Sequence, residues 1–77
     1  MRLTDQMLNK TGISACNQVR TYASEFKKAK KGKEISYCHI NSRQYDKIFE
    51  QVKRFCTKEK KPIPETLYVD DIQLIRH

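Results

Sequence analysis

Five groupings of residues in this chain have types and spacings that can do chemistry. Asp70 and Asp71 are adjacent carboxylates behind Tyr68-Val69, and paired carboxylates can hold the divalent ions of a two-metal displacement. Cys38 and His39 adjoin, with Cys16, Cys56 and His77 elsewhere. Thiolates and imidazoles are zinc ligands, or a nucleophile with its base. Lys27, Lys28, Lys30, Lys31 and Lys33 form a dense run, with Lys58, Lys60 and Lys61 as a second cluster; lysines of this kind neutralise phosphates. Asn17, Gln18 and Arg20 carry the amide and guanidinium groups that bond adenine and guanine edges. Tyr37 and His39 alternate along a short segment, and rings so placed can stack on unpaired bases.

Spacing thins these groupings. Zinc ligands usually come in pairs two to four residues apart. Cys38 and His39 are neighbours, which a strand would point to opposite faces. Cys16 and Cys56 fall on apolar helical stripes and read as small core residues. No metal or cofactor is expected. His39 or His77 as the acid or base of a ribonuclease would need a partner, and neither histidine has one in the pattern. The expectation is a chain that is not an enzyme. Tyr37 and His39 are expected to pack against the third helix, over about 43–56.

What remains is charge. The chain has 77 residues, a formal net charge of +7, 38% hydrophobic residues and a mean hydropathy of −0.82. It is short enough for one compact domain, 1–77, and lean enough that a homodimer is one way to complete its core. Residues 1–33 hold eight Lys/Arg against two acids, whereas residues 34–77 hold eight against seven. The basic N-terminal half points to a polyanion, either nucleic acid (DNA ahead of RNA) or an acidic protein surface. Three cysteines make an odd count, no apolar run approaches bilayer length, and no secretory pattern opens the chain. The expected setting is the cytoplasm, away from membranes.

These residues need elements to position them. Thr4 can cap a short helix over about 5–10, with Gly12 as the left-handed residue that stops it. Ser14 can cap a second helix over about 15–31, whose stripe is Cys16, Val19, Ala23 and Phe26 with Tyr22 beside it, ended by Gly32. Residues 34–40 alternate as a strand, with Ile35, Tyr37 and His39 on one face. Asn41 or Ser42 caps a third helix over about 43–56, striped by Tyr45, Ile48, Phe49, Val52, Phe55 and Cys56. A loop carrying Pro62 and Pro64 follows. Residues 67–75 close as a strand, with Tyr68, Ile72 and Leu74 on one parity and Leu67 and Val69 on the other. The two strands can pair parallel or antiparallel. The sum is an α+β domain with three helices, one short and two long and amphipathic, and two short strands.

Met7-Leu8, Thr11-Gly12-Ile13-Ser14, Val19 and Tyr22 together resemble the helix-turn-helix of small phage and bacterial DNA-binding proteins. That resemblance covers residues 4–23. It implies that the helix after Gly12 reads DNA, with Asn17, Gln18 and Arg20 near the bases and the lysines on phosphates. Tyr68-Val69-Asp70-Asp71 resembles the Tyr-x-Asp-Asp signature of reverse transcriptases, whose aspartates sit on a hairpin and hold metal. Two-metal chemistry needs a further carboxylate and a palm to carry it, which the other motifs do not supply, so this pair reads as a polar turn. The expected function is a small basic nucleic-acid-binding protein, a non-catalytic DNA-binding regulator. The alternative is a protein-binding module, such as a phage-type inhibitor or adaptor that meets a host enzyme through its lysines.

Overall fold

Asn9 sets where the first long helix begins. Its side-chain oxygen accepts from the backbone N–H of Thr11 at 3.0 Å and of Gly12 at 3.2 Å, and Ile13 N–H donates to its carbonyl at 2.9 Å. A side-chain acceptor here satisfies helix N–H groups that have no partner within the helix. In the computed structural model, which describes all 77 residues, α1 therefore runs without a break over Lys10–Ala29. This corrects the expected boundaries of the first two helices. The helix expected over 5–10 shrinks to a 3-10 turn at Asp5–Met7, and Thr11–Ser14 lie inside α1 rather than at a corner. Gly12 does not take the left-handed conformation expected of a helix stop.

Both helices end on a left-handed lysine. Past α1, Lys31 has φ 53° and Gly32 has φ 88°, while Gly32 N–H returns to the Lys27 carbonyl at 2.8 Å. Asn41 caps α2, Ser42–Lys58, by accepting from Arg43 N–H at 2.8 Å. Beyond it Lys60 has φ 55°, Lys61 N–H donates to Cys56 O at 2.8 Å, and Lys60 N–H donates to Thr57 O at 3.3 Å. These paired bonds are the Schellman pattern that closes a helix end.

The expected closing strand is a hairpin. β2, Tyr68–Val69, and β3, Ile72–Arg76, are antiparallel around Asp70-Asp71, with Asp70 at φ 55°. The tight turn puts Val69 opposite Ile72, so Leu67, Val69, Ile72 and Leu74 all turn to the core, while Tyr68 is exposed. A single strand carried across the turn splits them by parity instead. β1, Tyr37–Ile40, lies parallel to β3, giving a sheet ordered β1-β3-β2. The N-terminus adds a further rung beside β2: Leu3 N–H donates to Tyr68 O, and Tyr68 N–H to Met1 O, each at 2.8 Å. There are thus two helices, a 3-10 turn and three strands, where three helices and two strands were expected.

Both helices pack on one face of this sheet. Ala15, Cys16 and Val19 of α1 and Ile48, Val52 and Cys56 of α2 meet Leu3, Ile40, Leu67, Val69, Ile72 and Leu74 in one core. Burying such side chains contributes roughly 1.5–3 kcal/mol each before the entropy of ordering them. Arg76, at the end of β3, donates to both Asp46 oxygens at 2.9 and 3.2 Å, tying the sheet to α2. That hydrogen bonding holds the Asp46 carboxyl below its ordinary range. No helix is long and apolar enough to cross a membrane.

Candidate nucleic-acid interface

The helices are antiparallel where they touch. Gln51 Oε1 accepts from Asn9 N–H at 2.9 Å, and further along Gln18 of α1 shares a cleft with Arg43, Gln44 and Lys47 of α2. From that contact α1 passes the hairpin, where Arg20 meets Asp70, and reaches β1. Val19 is its last fully buried residue. The ten residues from there to Ala29 carry the helix about 15 Å further, with Arg20, Ala23 and Phe26 half-buried and the rest exposed.

The lysine run sits on this outer end. Lys27, Lys28, Lys30, Lys31 and Lys33 are all exposed. Lys27 is paired with Glu34 at 3.2 Å; the other four make no ion pair. The contrast with the arginines is informative. Arg2 bonds Asp71 at 2.7 Å, Arg20 bonds Asp70 at 3.3 Å, Arg54 bonds Glu50 at 3.3 Å, and Arg76 bonds Asp46 at 2.9 Å. The protein's own carboxylates are used mainly by arginine, so the uncompensated field comes from lysine.

The three residues expected to touch bases fare differently. Asn17, Gln18 and Arg20 lie on the middle of α1, with Asn17 and Gln18 exposed and Arg20 half-buried. Arg20 Nη1 donates to Asn17 Oδ1 at 2.9 Å, and Arg20 Nε donates to Asp70 Oδ2. Asn17 and Arg20 are therefore engaged with each other and with the hairpin, whereas the Gln18 side chain has no protein partner. Lys58, Lys60 and Lys61 are exposed at the C-terminal end of α2. Because the helices are antiparallel, this cluster and the α1 run lie at opposite ends of the molecule. The helical rise from the Gly12–Gln51 contact separates Lys27 from Lys58 by roughly 30 Å, along a molecule whose longest dimension is 42 Å.

The remaining groupings are placed just as clearly. Asp70 and Asp71 do cap a hairpin, but their carboxylates face Arg20 and Arg2, and no three His, Cys, Asp or Glu side chains gather to hold a metal. Cys16 and Cys56 are in the core, where burial pushes the Cys16 thiol up and keeps it protonated. Burial likewise raises Cys38, which is half-buried under the sheet edge.

Tyr37 and His39 correct the sequence reading. They do not lie under α2; Cys38 and Ile40 point that way, and Tyr37 and His39 are exposed on the opposite face with Tyr68. Their rings meet edge to face at 5.7 Å, and His39 meets His77 at 5.9 Å. Between the free edge of β1 and the overhanging α1 runs an open groove lined by Tyr22, Phe26, Ile35, Tyr37, Cys38 and His39. The sequence signal for this groove is Tyr22, which sits beside the apolar stripe of α1 rather than on it. No known protein family, no curated protein and no solved structure matches the chain.

Proposed function

We propose that this protein binds nucleic acid without catalysis, DNA being its target, and that the projecting end of α1 is the contact surface. One observation carries the reading: Lys28, Lys30, Lys31 and Lys33 stand exposed and unpaired on one helix end, while four of the five arginines are committed to the protein's own acids. A field left uncompensated in this way attracts a polyanion and draws it to one end of the molecule. Lysine contacts neutralise phosphates and give affinity without sequence choice. Sequence preference, where present, falls to Gln18, the one candidate base-reading side chain not already bonded within the protein.

The test is salt dependence. Binding to a 15-base-pair duplex, followed by fluorescence anisotropy, is expected to weaken with salt along a log–log slope of about −3 to −4. Four phosphates neutralised on duplex DNA give a slope in this range. Replacing Lys28, Lys30, Lys31 and Lys33 with glutamine should flatten it. Absence of binding at low salt, or a slope near zero, would overturn the proposal.

A further inference from the structure

Resting on that reading, we infer that the groove along β1 takes bases, so that the preferred ligand is a single strand. Three features meet there. The first is aromatic. Tyr22 is 52% and Tyr37 is 55% exposed, the two most exposed large apolar side chains of the protein, and both line the same groove with His39 and Phe26. Exposed apolar side chains gathered in one groove mark a surface that meets a ligand. The second is charge. Lys28 in the last turn of the helix that forms the groove wall, Lys30 at its cap, and Lys31 and Lys33 just past its end follow Phe26 in the chain. A chain that laid flat groups on the rings would carry its negative backbone past these lysines. The third is the strand itself. β1 is at the end of the order β1-β3-β2, so its outer edge has no strand partner and offers backbone groups to base edges.

A base pair cannot use this arrangement, because its faces are covered by its neighbours in the duplex. An unpaired base offers both a flat face and a hydrogen-bonding edge. Aromatic side chains beside a basic track are the general physical solution for single strands, and stacking tolerates any base. The hairpin lies beyond the site: Asp70 and Asp71 sit against Ala23, Ser24 and Lys27 in a neighbouring cleft, while Glu34, paired with Lys27 at 3.2 Å, lines both that cleft and the groove.

The experiment compares a labelled fifteen-residue oligothymidylate with the duplex of the same length, using the whole protein. The single strand should bind tighter, and tyrosine emission, free of tryptophan background in this chain, should be quenched on binding. Tyr22→Ala and Tyr37→Ala remove exposed rings, and circular dichroism checks that each variant still melts cooperatively. Each is expected to weaken single-strand binding about tenfold or more, the usual effect of removing one stacking ring. Duplex binding should not change. Equal weakening on both ligands, or none on either, overturns the inference while leaving phosphate binding in place. If neither ligand binds at low salt, both readings fail. If the protein instead self-associates and Tyr37→Ala abolishes that in sedimentation, the groove belongs to a second copy and the inference is overturned.

Discussion

Gly12 shows how one missing Cβ joins two helices. A Cβ built there would lie 2.6 Å from Gln51 Oε1 and 3.1 Å from both Cβ and Cδ2 of Leu8. The Gln51 oxygen is close because it accepts from Asn9 N–H. In a capping box the third helical residue is Glu or Gln and reaches back to the N-cap N–H. Here the third residue is Gly12, and α2 supplies the amide through the space glycine leaves. Alanine would gain about 1 kcal/mol of helix propensity but would displace Gln51 and crowd Leu8. Gly12→Ala is therefore expected to destabilise by about 1 kcal/mol, as an exposed N–H gives up its bond and a tight approach is added. The cost should shrink in a Gln51→Ala background, and urea midpoints of the four proteins measure that coupling. Additive effects would contradict the account. A single sequence cannot disclose such a cap, because the partner of Asn9 lies 42 positions away. Locally, a glycine after Asn-Lys-Thr reads as a stop.

At the scale of elements, the legible parts are those whose signal is local. The stripe Ile48, Val52, Cys56 and the Asn41 cap locate α2 nearly to its ends. The two lysine-rich helix ends are also readable as ends, but not which residue carries the turn. Asp70-Asp71 reads as a polar turn, yet alternation alone draws a strand straight through it. The parity of Leu67 and Val69 against Ile72 and Leu74 follows only once a two-residue loop is placed between them. The exposure of Tyr37 depends on the same register, since it sits beside Gln73 on the uncovered face. The helix ends themselves give a test. Lys60 holds φ 55° with its Cβ present, a conformation costing roughly 1–2 kcal/mol outside glycine. Glycine would remove that cost, less its own larger chain entropy. Lys60→Gly should raise stability by about 0.5–1 kcal/mol, read as an increase of a few degrees in Tm, on the order of 4 °C. An unchanged or lower Tm would mean that the end of α2 is not closed in this way.

Across the whole molecule, positive charge is divided between two ends rather than gathered on one face. Sequence position alone puts Lys27–Lys33 and Lys58–Lys61 in different halves of the chain but is silent on distance. The antiparallel packing of α1 with α2 is what drives them apart. One short ligand cannot reach both ends of a 42 Å body, whereas a long strand can. The two clusters should therefore separate by ligand length. On a six-residue oligothymidylate, replacing Lys58, Lys60 and Lys61 with glutamine is expected to leave affinity and salt slope unchanged, while replacing the α1 lysines reduces both. On a thirty-residue strand the loop variant should also flatten the slope, by about 0.7 for each phosphate of the single strand that is no longer neutralised. A loop variant that weakens the short strand as much as the α1 variant does would place both clusters on one continuous surface. That would contradict a polyanion track anchored at the β1 end and extended, for longer ligands only, to the far end of α2.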